Sequence, residues 1–259
     1  MHPPFPVRTE QVKIQITPSH MLDARLDLPE GIKPKGFAVF AHCFTCSKSF
    51  KTTVLLARAL AENGFGVLRT DFTGLGKSDG DFSDTNFSTN VRDLLAGVQW
   101  LRENHTAPVL IYGHSFGGTA ALAAVAQTPE AKAVATINAP FEPQHVTHNF
   151  ACDIADILQK GEEKVLLAGR TFTIKKQFIE DIQSHNMQQI ISSLNKHLLI
   201  FHTPEDDVVH LDNARKIYEA AKHPKSFITL PEADHFLRNE KDADYVGNII
   251  ATWATRYLA

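Results

Sequence analysis

The chain has 259 residues, 43% of them apolar and 21% charged, with a formal net charge of -3; this suits one large α/β domain with a buried core. Such a balance excludes the basic footprint of a nucleic-acid or anionic-membrane binder, and no apolar run reaches the roughly 20 residues a bilayer span needs. The start, MHPPFPVRTEQ, lacks the pattern of a secretory leader, and three cysteines are too few for a disulfide framework, so the expected setting is reducing and cytoplasmic.

In chain order, QVKIQI (11–16) and LDARLDLP (22–29) alternate apolar and polar residues as a half-exposed hairpin does. The pattern then changes to continuous apolar runs: FAVFAH (37–42), FGVLRTDF (65–72), PVLIYGH (108–114), AVATINA (133–139) and HLLIFHT (197–203). Such runs mark parallel strands covered on both faces. A last strand near the sheet edge is expected in SFITLPEA (226–233). Between the runs, Val91, Leu94, Leu95, Val98 and Leu101, and later Val246, Ile249, Ile250 and Trp253, recur at helical spacing and form core-facing stripes. Strands alternating with helices predict a mostly parallel, doubly wound, eight-stranded sheet, an α/β fold in a single domain over 1–259. Residues 140–196 are too many for one crossover and are expected to form an inserted cap. Within them NFACDIADILQ predicts a helix, KVLLAGRTFTI a hairpin turning at Ala168-Gly169, and KQFIEDIQ the opening of another helix.

YGHSFGG places Gly113-x-Ser115-x-Gly117 between an apolar strand and the Ala-rich helical stretch TAALAAVAQT. A sharp strand-to-helix turn there strains its central residue and needs neighbours without side chains. It projects Ser115 beyond the carboxyl ends of the strands, facing the positive end of the following helix. A serine hydroxyl needs a base, and the base needs an orienting carboxylate. Both belong in loops after strands. FHTPEDDVV offers Glu205, Asp206 and Asp207, and LPEADHF offers His235, with Asp234 beside it as a turn residue. The order serine, acid, histidine is that of one class of hydrolase. His202, His145 and His148 compete with His235 for the role of base, and most of the 13 histidines need only be solvated or hydrogen-bonded.

The segments FAHCFTCSK, RTDFTGLGKSDGDF, YGHSFGG, AGRTFTIKKQF, FHTPEDDVV, NARKIYEAAKHPKSF and ADHFL together resemble the α/β-hydrolase-fold serine hydrolases, specifically those often fused to OsmC-like domains. The resemblance runs from Phe37 to His235. It implies Asp206 as the acid, from the pattern H-[ST]-P-x-D-x-x-V, leaving Glu205 and Asp207 as surface carboxylates. It also implies an oxyanion hole made by the backbone N–H groups of Phe44 and Phe116, with Cys43 standing where that family has a glycine. DFTGLGKSDG (71–80) matches the family's fourth-strand loop, and its glycine spacing does not make a Walker loop. The resemblance raises two alternatives: an OsmC-like partner on a separate polypeptide, or a protein that works alone.

Cys43-x-x-Cys46 admits other readings. Zinc lacks a fourth ligand, since His42, Cys43 and Cys46 supply at most three and the neighbours His42 and Cys43 point apart. Thioredoxin-like redox chemistry is an alternative to the expected role, loop packing by two small thiols. The reading favoured overall is a serine hydrolase of small carboxylic esters or thioesters that needs no cofactor and no metal. The alternative from another class is a ligand-sensing scaffold with little turnover.

Overall fold

The hydrophobic alternation resolves into two apolar layers separated by a sheet, seen in a computed structural model that describes residues 3–258. The strands are β1 (Val7–Thr17), β2 (His20–Pro29), β3 (Phe37–Ala41), β4 (Gly66–Thr70), β5 (Leu110–His114), β6 (Ala133–Ile137), β7 (Glu162–Leu167), β8 (Arg170–Lys175), β9 (His197–His202) and β10 (Lys225–Thr229). Eight of them form one sheet in the order β1-β2-β4-β3-β5-β6-β9-β10. The β1–β2 hairpin pairs antiparallel and joins β4 antiparallel; every later pairing is parallel. This is the expected doubly wound sheet, with the last strand at its edge.

Alternate residues of each central strand face opposite layers. Val39 and Ile111 join the layer built with α2 (Phe87–Asn104), α3 (Phe116–Val125) and α7 (Asp212–Ala220). Their neighbours Phe40, Leu110 and Tyr112 join the layer of α1 (Lys51–Glu62) and α8 (Glu240–Ala254). In α2 the predicted stripe is buried at Val91, Leu94, Val98 and Leu101, with Leu95 at its edge. That helix begins where Asn86 and Thr89 cap each other's backbone N–H groups, a reciprocal arrangement that satisfies two otherwise unpaired donors. In α8, Val246 and Ile250 are buried while Ile249 and Trp253 lie at the margin.

Between β6 and β9 the chain leaves the main sheet. β7 and β8 form their own two-stranded antiparallel sheet, turning at Ala168 and Gly169, both in the left-handed region (φ 48° and 77°), as a two-residue hairpin with the strands' twist requires. Helices α4 (Ile154–Lys160), α5 (Lys176–Ser184) and α6 (Met187–Ser193) complete the segment. The helix expected in NFACDIADILQ is only partly α-helical: residues Pro143–Asp153 wind as 3₁₀ turns, broken at Phe150 (φ -146°, ψ 37°), before α4. Phe150 is buried in the core there, so its packing outweighs continuity of the helix. No helix among the described residues is long and apolar enough to cross a membrane.

Candidate active site

β5 runs out at His114, and the chain turns through Ser115 (φ 54°, ψ -130°) directly into α3. A β-carbon on Gly113 would lie 2.3 Å from the Gly117 carbonyl oxygen, and one on Gly117 would lie 2.3 Å from the carbonyl oxygens of Ala41 and His42. Neither position tolerates a side chain without moving backbone. This is the steric reason for the glycine pair. The Ser115 N–H donates to the Ile137 carbonyl at 2.8 Å, tying the turn to β6.

The structure brings three of the predicted residues together. His235 Nε2 lies 3.1 Å from Ser115 Oγ, and His235 Nδ1 lies 2.7 Å from Asp206 Oδ2. Because the carboxylate only accepts, Nδ1 carries the proton and donates it to Asp206, which leaves the Nε2 lone pair to accept from the serine hydroxyl. The Asp206 and His235 side chains are 0% and 2% exposed, so water does not compete for this pair. Asp206 Oδ1 accepts from the N–H groups of Val208 (2.8 Å) and Val209 (2.7 Å). Burial pushes the Asp206 pKa up, but the bond to His235, its charge and these two amides outweigh it and hold the carboxyl below its ordinary value. Glu205 and Asp207, the flanking acids, are exposed.

Of the competing histidines, His202 donates from Nε2 to the Val209 carbonyl at 2.7 Å, beside Asp206 but without reaching Ser115. His145 and His148 pack ring to ring, centroids 4.6 Å apart, along a separate depression with Glu142, Asn213 and Lys216. Asp234 caps the turn by accepting from Arg238. The sequence reading missed two residues that hold the base. His114 donates from Nε2 to the His235 carbonyl at 2.7 Å, and Asn138 Nδ2 donates to the same oxygen at 2.9 Å. Burial, then the neighbouring His235, lowers the His114 pKa to about 3, so it stays neutral. The available signals were a histidine inside the elbow motif and an asparagine at a strand end, where it adopts φ 48°.

Phe116 is the first residue of α3, so its N–H has no intrahelical acceptor. The other expected donor, Phe44 N–H, shares a peptide plane with the Cys43 carbonyl. That carbonyl accepts from His42 Nδ1 at 2.8 Å and from Cys46 N–H at 3.1 Å. Two bonds on the oxygen lock the plane, and in a trans peptide the N–H then points the opposite way. His42 Nε2 in turn accepts from Phe72 N–H at 3.3 Å, and burial lowers its pKa, keeping the imidazole neutral for both roles. The Phe44 and Phe116 rings pack edge to face, centroids 5.3 Å apart.

Cys43 and Cys46 differ from the expectation. They are not packing thiols; they form a disulfide around Phe44. Cys43 also has no need of glycine's freedom, because the left-handed residue of the loop is Thr45 (φ 60°). Beneath the loop, Lys48 Nζ pairs with Asp23 at 2.6 Å and with Asp71, all three buried. Burial alone raises the Asp23 pKa, yet the lysine partners bring it down to about 2. The glycine-rich run 71–80 supports this anchor: Asp71 also accepts from the Lys77 N–H at 2.9 Å, and a β-carbon on Gly76 would strike the Asp71 carboxylate at 2.0 Å. No group of three or more His, Cys, Asp or Glu among the described residues is arranged to hold a metal ion.

A hydroxyl on a strand-to-helix elbow, a histidine and a buried carboxylate in one line, at the carboxyl end of a mostly parallel eight-stranded sheet, define the α/β-hydrolase fold. The chain belongs to the family described as serine aminopeptidase, S33, whose pattern matches residues 32–190, more than half of its length. It is similar to the esterase domain of a Rhodothermus marinus protein, with 41% identity and a TM-score of 0.79, covering 97% of this chain and 100% of that one. Est1E from Butyrivibrio proteoclasticus, solved with ferulic acid, shares the fold at 22% identity and a TM-score of 0.77, covering 95% of this chain and 99% of that one. The uncharacterized protein YfhR of Escherichia coli O157:H7 is 24% identical over 177 residues, 68% of this chain and 55% of YfhR. The chain thus spans about half the length of the curated relatives it matches.

Proposed function

We propose that this protein is a serine hydrolase of carboxylic esters that works through an acyl-enzyme. The observation that carries this reading is the continuous line from Asp206 through His235 to Ser115, at 2.7 and 3.1 Å. In the first half-reaction Ser115 Oγ attacks the ester carbonyl carbon while its proton passes to His235 Nε2. The carbonyl oxygen, now anionic, is received by the N–H groups of Phe44 and Phe116. Asp206 balances the imidazolium. Collapse breaks the ester C–O bond, and His235 returns the proton to the leaving alcohol. Water then attacks the acyl-serine, with His235 as base, and releases the acid.

The similarity to an esterase domain at 41% identity supports an ester substrate. The family description names an aminopeptidase, but a free substrate amine calls for a carboxylate in the binding cavity. None of the residues lining the cavity at Ser115 is Asp or Glu; its charged lining residues are Arg170 and Arg238. Replacing Ser115 with alanine is expected to abolish turnover of short p-nitrophenyl esters and labelling by a fluorophosphonate. Labelling that persists in that variant would mean a different nucleophile.

A further inference from the structure

The cavity in front of Ser115 has a volume of about 650 Å³, within the roughly 300–1,000 Å³ range of small-molecule sites. Its walls are mainly apolar: Phe44, Phe50, Phe236, Leu166, Leu167 and Val208. Its rim is cationic. Ser115 and His235 are buried, whereas Arg170 and Arg238 are exposed at the opening. Arg238 already has a partner, because its Nη1 donates to Asp234 Oδ2 at 3.0 Å.

Arg170 is not neutralised. It follows the Ala168-Gly169 turn of the β7–β8 hairpin, its guanidinium lies 5.0 Å from the centre of the Phe172 ring, and it donates to the Thr45 carbonyl. Among the described residues it forms no ion pair with a carboxylate. A guanidinium has five donors in a planar fork, and most of these remain unspent here. Stacking on Phe172 and the bond to Thr45 reduce the freedom it would lose on capturing a ligand.

We propose that the preferred substrate is an amphipathic ester bearing a carboxylate at the end of an apolar chain. The chain lies along the phenylalanine and leucine walls, the ester meets Ser115, and the carboxylate is received at the rim by Arg170, with Arg238 assisting. The planar fork suits a carboxylate bidentately. This inference rests on the reading of Ser115 as an ester-cleaving nucleophile and adds the substrate class to it.

The test uses mono-p-nitrophenyl esters of straight-chain dicarboxylic acids, adipate to sebacate, beside the p-nitrophenyl alkanoates of matching length that end in a methyl group. Rates without enzyme are subtracted, and kcat/KM for the charged ester over its neutral partner is measured within each variant, so any loss of folded protein cancels. The wild type is expected to favour the charged ester about three- to fivefold at its best chain length, as befits a charge-assisted bond at an exposed rim. That ratio should fall toward one in Arg170→Gln, fall less in Arg238→Gln, and fall toward one in high salt. Neutral esters turned over with a ratio near one at every length would overturn this proposal and leave the esterase reading standing. Failure to hydrolyse any ester would defeat the esterase reading, and this proposal with it.

Discussion

Asp206→Asn isolates the step that orients the base. Val208 and Val209 donate to Oδ1 at 2.8 and 2.7 Å, so an asparagine keeps its oxygen on that side and must turn its NH₂ toward His235. A donor then replaces the acceptor 2.7 Å from Nδ1. The imidazole answers by moving its proton to Nε2, which faces Ser115 Oγ, and the base is lost although every heavy atom stays in place. With the pair at 0% and 2% exposure, no solvent path restores the right tautomer. The expected cost is about 10³–10⁴ in kcat, or roughly 4–5.5 kcal/mol of transition-state stabilisation, with KM little changed. Steady-state kinetics on p-nitrophenyl butyrate, with the melting temperature as a check of folding, measure it. A fall of less than tenfold in a folded variant would refute the assignment of Asp206. Glu205→Gln and Asp207→Asn, at exposed positions, should each stay within about twofold of wild type by the same reasoning.

Gly117→Ala puts a β-carbon 2.3 Å from two backbone oxygens, and should destabilise the protein by about 2–4 kcal/mol in denaturant titration; a neutral effect would mean that the elbow is less tightly packed against β3. Reducing the Cys43–Cys46 disulfide frees the loop that carries Phe44. The expected result is a drop in kcat of up to about a thousandfold, the upper limit being loss of one oxyanion donor, and unchanged kcat in reduced protein would show that His42 and the Cys46 amide suffice. His114 titrates at about 3 in the fold, against 6.5 in the unfolded chain. Its contribution to stability is therefore complete above pH 6.5 and is lost as pH falls from there toward 3, by about 3 kcal/mol at pH 4. His114→Gln should flatten the dependence of unfolding free energy on pH across that window; an unaltered slope would place the missing protons elsewhere.

The reach of the sequence differs from one feature to the next for physical reasons. Strand and helix periods follow from which face of a local element must be buried, so the continuous runs at 37–42 and 108–114 and the stripe from Val91 to Leu101 revealed the parallel sheet and its covering helices. The Ala168-Gly169 turn and the glycine-framed Ser115 were equally legible, because each depends on backbone geometry over a few adjacent residues. The 3₁₀ winding at Pro143–Asp153 was not. It depends on where Phe150 finds its cavity, which no local pattern states.

For distant residues, position after a strand and chain order pointed to His235 and the family resemblance to Asp206, but the contacts themselves are made only by the fold. His235 meets Ser115 across 120 positions and Asp206 across 29. Three adjacent acids, 205 to 207, differ little in local pattern; the resemblance singled out Asp206, and the bend after β9 is what turns it inward. The bracing of His235 by His114 and Asn138, the closing of Cys43 onto Cys46 around Phe44, and the arrival of Arg170 at the rim arise the same way. Local sequence sets the backbone period that a segment prefers, whereas strand order and packing set which side chains share a volume. For this protein the sequence determined the scaffold, the place of Ser115 and the candidates to stand beside it, and the tertiary structure decided which side chains meet it and what braces them.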